Sequence, residues 1–259
     1  MPESFYESDG ELLISTELTR GPWDPEAQHA GPPAALLGRA VEQIEDPEPF
    51  QVARITLEIL RAVPIAPLRV EARVARPGRR VQLVEGSLYD DDGEVMRATA
   101  WRLRTGSVEL PDSPEAEAPP GPDAAKPRDF VSTGESVGYH SAMEYRFLEG
   151  AFLEPGPAKV WMRMRYPLVD GEPPSPLQRV LVAADSGNGV SATLDWRRYL
   201  FVNVDLSVHV ERLPIGEWIC LDAVTLPQPT GIGVAETLLL DQRGRIGRAL
   251  QTLLVSRRD

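Results

Sequence analysis

Two segments of the chain combine small and apolar residues at helical spacing. The first covers residues 33–41 and the second covers residues 177–184. Proline stands at or just before the start of each, at Pro32, Pro33 and Pro176. The first turn of a helix tolerates proline because its N–H has no helical partner there. The pattern therefore predicts one long helix in each half of the chain.

Strand patterns follow both helical segments. Apolar and polar residues alternate over 55–59, 68–74 and 81–89, and final strands are predicted over 94–104 and 245–257. A helix followed by an antiparallel meander is typical of the α+β class. The sequence predicts this arrangement in each half, with the long helix packed on the antiparallel sheet.

The two halves also resemble each other in sequence. Residues 81–104 and 232–255, set together without gaps at an offset of 151, share seven identities in 24 pairs, where average composition predicts about one or two. The identical pairs are Glu85/Glu236, Leu88/Leu239, Asp90/Asp241, Gly93/Gly244, Arg97/Arg248, Ala98/Ala249 and Leu103/Leu254. The glycines belong to predicted hairpin turns at Asp92-Gly93 and Arg243-Gly244. We predict two tandem repeats, each covering the sheet edge that a single copy would expose.

A change of composition separates the halves. Pro, Ala, Asp and Glu dominate residues 106–136, and apolar periodicity is lost there. This is typical of a linker or a wrapping surface segment. The predicted organisation is therefore an N-terminal unit over 1–105, a linker over 106–136 and a C-terminal unit over 137–259.

Charge and composition exclude several classes of protein. The formal net charge is −12 and the sequence pI is about 4.8, so a nucleic-acid backbone would be repelled. The single cysteine, Cys220, forms no internal disulfide and is typical of a small core residue. The N-terminus has no signal-peptide pattern and no run approaches the ~20 apolar residues of a membrane span. We expect a soluble cytoplasmic protein without a membrane partner.

No motif for a metal or a nucleotide cofactor is found. The three histidines, His29, His140 and His209, have no metal-ligand spacing with one another or with Cys220. Dinucleotide and P-loop patterns are missing. We therefore expect neither a metal site nor a cofactor.

Several segments resemble one family. Residues 18–25, LTRGPWDP, with 29–37, HAGPPAALL, resemble the opening of actinobacterial acyl-CoA thioesterase-like proteins. Residues 181–189, LVAADSGNG, with 201–218 and 244–255, resemble the C-terminal half of the type II acyl-CoA thioesterases. The resemblance covers nearly the whole chain outside the linker. It implies a double hotdog fold, thioesterase activity and a homodimer of double-hotdog units.

The resemblance also implies a catalytic trio. The family has an Asp late in the second helix, a Thr on the next strand and a Gln on the last strand. By motif these fall on Asp185, Asn203 and Gln251. Asn203 replaces the family's Thr, but an amide also donates and accepts hydrogen bonds and could hold a water molecule.

The same residues are unusual on their own chemistry. Asp185 ends an apolar helical run, where the helix dipole disfavours a carboxylate. Gln251 stands where the first half has Ala100, and a buried amide would need partners. The simpler alternative is an Asp that meets solvent at a helix end, and strand residues that point into water.

Thioester hydrolysis needs a held water molecule, a group that takes its proton and donors for the oxyanion. We expect Asp185 to be the base, with Gln251 and Asn203 holding the water. The amides at the start of the first helix, near Ala30 and Gly31, are candidate oxyanion donors, and His29 would line the cleft. Candidate contacts to the anionic coenzyme A are Arg79, Arg80, Arg197, Arg198, Arg243 and Arg245, although each is also typical of solvated surface charge.

Two other functions stay open. A non-catalytic acyl-CoA or lipid-binding hotdog protein would fit the replacement of Thr by Asn203. An enoyl-CoA hydratase would pair an Asp with a nearby His, whereas the chain neighbours of Asp185 include Ser186 and Asn188. The sequence therefore favours acyl-CoA hydrolysis, by one cleft that takes its polar residues from the second half.

Overall fold

The computed structural model describes residues 2–111, 117–128, 135–152 and 154–258. Antiparallel strands dominate these residues. The strands are β1 (Tyr6–Asp9), β2 (Leu12–Ser15), β3 (Phe50–Ile59), β4 (Pro67–Arg76), β5 (Val81–Asp90), β6 (Gly93–Arg104), β7 (Lys126–Pro127), β8 (Met143–Ala151), β9 (Glu154–Met164), β10 (Tyr199–Asn203), β11 (Asp205–Val210), β12 (Ile219–Pro227), β13 (Ile232–Asp241) and β14 (Gly244–Arg257). The helices are α1 (Gly31–Glu42), α2 (Tyr139–Ala142), α3 (Pro176–Ala184) and α4 (Gly187–Val190).

One continuous sheet joins the two halves. Its strand order is β1-β2-β4-β5-β6-β3-β11-β14-β13-β12-β9-β8-β7, and β10 also pairs with β14. The halves meet where β3 pairs with β11. At this junction the hydroxyl groups of Thr56 and Ser207, which differ by 151 in residue number, lie opposite each other and are hydrogen-bonded at 2.9 Å.

The strands of the two halves pair in the same register. Gly86 faces Ala98 in the first half, and Thr237 faces Ala249 in the second, again at an offset of 151. The irregularities coincide as well. A register shift after Leu88 in the first half is matched by one after Leu239 in the second. The predicted strands and hairpins are therefore confirmed, while an origin by duplication stays a prediction.

A second shared irregularity lies beside the predicted site. The pairing of β3 with β6 shifts between Val52 and Arg54, so that Ala53 is the extra residue. In the second half the shift falls between β10 and β11, where Val204 is the extra residue. Because such bulges redirect the neighbouring side chains, this one affects the direction of Asn203, the last residue of β10.

The helices α1 and α3 cover the predicted segments, but neither of them is long. The helix α1 has 12 residues and α3 has nine, followed after Asp185 and Ser186 by the four-residue α4. The prediction of a long helix in each half is therefore not confirmed. Ser175 caps α3 as its side chain accepts the Gln178 N–H, and Pro176 opens the helix as predicted.

The helices α1 and α3 cross in close contact. A methyl group on Gly38 would lie 2.4 Å from a Leu181 methyl carbon, and one on Gly31 would lie 2.5 Å from the Val182 carbonyl oxygen. Only glycine allows this approach at Gly31, because the obstacle is backbone. The crossing brings the start of α1, from the first half, against the end of α3, from the second.

Part of the predicted linker is folded onto the sheet. The strand β7 pairs with β8, and the Trp161 indole N–H donates to the Pro120 carbonyl at 2.8 Å. Ala125 packs with Trp161 and Cys220 beneath this segment. Burial raises the pKa of the Cys220 thiol to about 12, in agreement with a core role. Residues 112–116 and 129–134 of the predicted linker lie outside the described residues.

Candidate active site

A cavity of about 330 Å³ opens where the two halves meet. Its wall is formed largely by apolar and aromatic side chains, among them Ile59, Val63 and Phe152. The polar groups gather at the crossing of α1 and α3, where His29, Asp185 and Asn203 line the wall. Such a mostly apolar pocket with a few convergent polar groups is the usual form of a small-molecule site.

Asp185 is the centre of the polar cluster. Its side chain is 4% exposed, so the interpretation as a solvated Asp at a helix end is wrong. One carboxylate oxygen, Oδ1, accepts from Asn203 Nδ2 at 2.8 Å and from Gln251 Nε2 at 3.2 Å. The other, Oδ2, lies 3.0 Å from His29 Nδ1. The structure thus brings together the three residues that the family resemblance selects.

Gln251 supports this carboxylate from behind. It is 2% exposed and does not line the cavity. Its amide nitrogen also donates to the Asp185 carbonyl at 3.0 Å, and its amide oxygen accepts from the Asn188 N–H at 3.0 Å. Both donors and one acceptor position of Gln251 are therefore occupied by protein groups. This arrangement fixes Asp185 and the start of α4, and it leaves Gln251 badly placed to hold a water molecule.

Asn203 reaches Asp185 from the other side. Its amide nitrogen donates to Asp185 Oδ1 and also, at 3.2 Å, to the Asp205 carbonyl. It lines the cavity at the end of β10, next to the bulge at Val204. An Asn in place of the family's Thr therefore still contacts the carboxylate.

His29 completes the cluster from the first half. Its ring stacks on Tyr139 with centroids 3.7 Å apart and an interplanar angle of 7°. Burial lowers the pKa of His29, although the nearby Asp185 charge acts in the opposite direction. We infer a neutral imidazole at neutral pH. When the proton is on Nε2, the Gly31 N–H donates to Nδ1 at 3.1 Å, and Asp185 Oδ2 lies 3.0 Å from the same nitrogen. When Nδ1 carries the proton it donates to Asp185 and leaves Nε2 free to accept one.

Tyr139 holds this arrangement in place. Its hydroxyl donates to the Val182 carbonyl at 2.7 Å and lies 2.9 Å from the Ser186 hydroxyl. Burial raises its pKa well above 10, so the phenol stays protonated. The ring of Tyr139 therefore forms a fixed platform for His29.

The start of α1 offers few amide donors. Pro32 and Pro33 have no N–H, and the Ala34 N–H already donates to the Ala30 carbonyl at 3.0 Å. Within the described part of the chain the Ala30 N–H has no hydrogen-bond partner, and Ala30 lines the cavity. Of the predicted substrate-binding residues, His29 and Ala30 lie on the cavity wall, whereas Gly31 packs against Val182 instead.

Sequence reasoning missed the pairing of His29 with Asp185. The argument against a hydratase rested on the chain neighbours of Asp185, and that argument is wrong because a histidine from the other half lies 3.0 Å from the carboxylate. The motif HAGPP at the start of α1 was the available signal, but only the crossing of the two helices shows the contact. Among the described residues, no group of three His, Cys, Asp or Glu side chains has the arrangement of a metal site. The helices described are also too short or too polar to cross a membrane.

The continuous antiparallel sheet with helices at its centre is that of hotdog-fold proteins. A structure described as a thioesterase II from Thermobifida fusca YX has a TM-score of 0.76 at 17% identity, covering 97% of this chain and 94% of that one. A hotdog protein of unknown function from Alicyclobacillus acidocaldarius gives 0.72 at 17%, covering 98% and 96%. An acyl-CoA thioesterase II from Mycobacterium marinum gives 0.68 at 16%, also covering 98% and 96%.

The sequence places the chain in a family. Residues 19–103 match the acyl-CoA thioesterase N-terminal domain, and residues 111–255 match the acyl-CoA thioesterase C-terminal domain. The chain therefore belongs to the acyl-CoA thioesterase family. No curated protein matches it in sequence.

Proposed function

We propose that this protein hydrolyses acyl-CoA thioesters to free acids and coenzyme A at the site formed by His29, Asp185, Asn203 and Gln251. One observation carries the proposal. One oxygen of the Asp185 carboxylate accepts hydrogen bonds from the side-chain amides of Asn203 and Gln251, and the other oxygen faces His29. An apolar cavity beside this cluster suits an acyl chain, and membership of the thioesterase family gives the reaction type.

The base in this mechanism is His29. Asp185 Oδ1 already accepts two donors, Oδ2 faces His29, and the carboxylate is nearly buried. A water molecule therefore reaches the imidazole more readily than the carboxylate. Asp185 fixes the ring with Nε2 unprotonated and stabilises the imidazolium that forms, as carboxylates do beside catalytic histidines. This modifies the sequence-based expectation that Asp185 takes the proton itself.

The reaction then runs through a tetrahedral intermediate. The water oxygen bonds to the thioester carbon while its proton passes to His29 Nε2. The Ala30 N–H, at the positive end of α1, donates to the oxyanion. The carbon–sulfur bond breaks as the carbonyl re-forms, and the proton on His29 returns to the leaving sulfur. A thiol of pKa ~8.5 is a good leaving group, so this last step needs little acid catalysis.

Release of free thiol from a panel of acyl-CoA chain lengths tests the proposal. We expect Asp185→Asn and His29→Gln each to lower kcat by about 10²–10⁴-fold, the usual contribution of general-base catalysis. The control is Asp222→Asn, which removes a carboxylate paired with Lys159 outside the cavity. Wild-type activity in Asp185→Asn, or no thiol release from any acyl-CoA by the wild type, would contradict the proposal.

A second candidate is hydration of an enoyl-CoA. The specific observation in its favour is the His29–Asp185 pair, since adding water to a double bond also needs a group that takes a proton. In the same assay a hydratase consumes the conjugated double bond and releases no thiol. A non-catalytic binding protein would bind acyl-CoA to saturation with neither change.

Three further expectations from the sequence belong to the proposal. The shared register and shared bulges support two tandem repeats of one ancestral unit. A cytoplasmic location agrees with the single unpaired cysteine. A homodimer of double-hotdog units is supported by exposed apolar residues on neighbouring strands of the sheet, namely Leu226, Ile232, Val234, Leu250 and Leu254. Light scattering at several concentrations tests the dimer.

A further inference from the structure

Two large aromatic side chains are exposed at the cavity. Trp23 is 36% exposed and Trp196 is 37% exposed, and both line the cavity wall. Trp23 comes from the first half, before α1, and Trp196 comes from the second half, before β10. Exposed indoles beside a pocket are typical of recognition surfaces, because they offer a wide, rigid face at low entropic cost.

Hydrogen-bonded turns hold both indoles in position. Trp23 precedes a turn in which the Asp24 carboxylate accepts the Glu26 N–H at 2.9 Å and the Asp24 carbonyl accepts the Ala27 N–H at 3.2 Å. Trp196 follows Asp195, whose carboxylate accepts the Arg197 N–H at 3.0 Å. The aspartates beside the indoles therefore already bind backbone donors of their own turns.

An arginine lies over each indole. The guanidinium carbon of Arg258 is 5.6 Å from the Trp23 ring centroid, and that of Arg197 is 5.6 Å from the Trp196 ring centroid. The Arg258 N–H donates to the Arg198 carbonyl at 3.0 Å, which ties the end of the chain to the Trp196 turn. A protein of net charge −12 thus presents a local cationic and aromatic surface at its cavity. We call Trp23, Trp196, Arg197 and Arg258 the aromatic–arginine rim.

We propose that the aromatic–arginine rim binds the phosphorylated adenosine end of the coenzyme A thioester. An adenine stacks on an indole face, and the guanidinium groups pair with the phosphates, as arginine does preferentially. This inference rests on the proposed function, which puts the acyl group in the apolar cavity and leaves the nucleotide to the mouth. Of the arginines nominated from sequence, Arg197 belongs to the rim, whereas Arg245 is paired with Glu211 on another part of the surface.

The test compares two substrates with the same acyl group. Acyl-CoA carries the nucleotide, and the corresponding acyl-pantetheine thioester does not. We expect Trp196→Ala and Arg258→Ala each to raise the KM for acyl-CoA by about tenfold, the order expected from one lost stacking or charge-assisted contact. The KM for acyl-pantetheine should change far less than the KM for acyl-CoA, because the lost contacts are to the nucleotide. The control is Arg76→Ala, which removes an arginine from a similar pair with Trp101 away from the cavity.

Binding of adenosine 3′,5′-bisphosphate to the wild type gives a readout that needs no turnover. We expect the ligand to quench tryptophan fluorescence and to bind more weakly as salt rises. Equal KM changes on both substrates, equal KM values of the wild type for both, or no bisphosphate binding would each overturn the inference. If the wild type hydrolyses neither thioester but binds the bisphosphate, and Arg258→Ala weakens that binding, the rim stands and the proposed function fails.

Discussion

Replacing Gln251 with Ala tests whether Gln251 acts by holding the Asp185 carboxylate in place. Gln251 does not line the cavity, so the change leaves the cavity wall intact. It removes the bond from Gln251 Nε2 to Asp185 Oδ1 and the bond to the Asp185 carbonyl. It also removes the acceptor of the Asn188 N–H. The bond from Asn203 to the same carboxylate oxygen stays in place.

The structure sets the size of the effect. The Asn188 N–H is left buried without a partner, which costs about 1–3 kcal/mol, and the lost bond to the carboxylate adds about 1.5–3 kcal/mol. Water entering the space left by the side chain offsets part of this. We therefore expect the free energy of unfolding to fall by about 2–4 kcal/mol. A carboxylate held by one amide instead of two no longer fixes His29 as firmly, and a small misplacement of a catalytic group lowers kcat by up to about 10²-fold.

Urea unfolding and thiol release on the same preparations test both parts. The control is Gln82→Ala, which removes another buried glutamine amide, one that donates to Asp46 at 2.6 Å away from the cavity. We expect this control to lose stability and to keep its kcat. An unchanged kcat in Gln251→Ala, together with the expected loss of stability, would refute the argument that Gln251 acts through Asp185.

Two more predictions follow from the same cluster. Burial lowers the pKa of His29 from its ordinary value of 6.5, so the unfolded chain takes up a proton first as the pH falls. The free energy of unfolding should therefore decrease from about pH 7 down to the folded pKa, and His29→Gln should flatten that slope in pH-dependent urea unfolding. Gly31→Ala places a methyl 2.5 Å from the Val182 carbonyl and should cost about 1–3 kcal/mol in the same experiment. In the control variant Gly106→Ala the added methyl group meets no atom within 4 Å, so the free energy of unfolding should stay unchanged.

The sheet was predictable because its signals are local. A period of two sets the faces of a strand, and a glycine at a hairpin turn sets which residues face each other. Gly93 and Gly244 have positive φ at the starts of β6 and β14, and Asp90 and Asp241 face them across the turns. The offset of 151 found by aligning the two halves in sequence therefore also relates each pair of facing residues in the first half to its equivalent pair in the second.

The polar site was predictable only in part. Asp185, Asn203 and Gln251 were selected from the second half by resemblance, and they do converge. The contact with His29 depends on how closely α1 approaches α3, and that distance is set by the absence of a side chain on Gly31 and Gly38. Periodicity in either half carries no information on this crossing. For the same reason the arginines over Trp23 and Trp196 could not be paired with them in advance.

The difference between the halves lies in side chains on a shared backbone frame. The register places Val52 and Ala100 in the first half where the second half has Asn203 and Gln251. Both Val52 and Ala100 are buried. The bulge next to Val52 therefore redirects an apolar side chain, which supplies no donor for a carboxylate. Because a buried Asp needs hydrogen-bond donors, the first-half position equivalent to Asp185 could not hold a buried carboxylate unless both Val52 and Ala100 were replaced. We infer that the first half contributes His29 and the start of α1 to one shared site and has no matching site of its own.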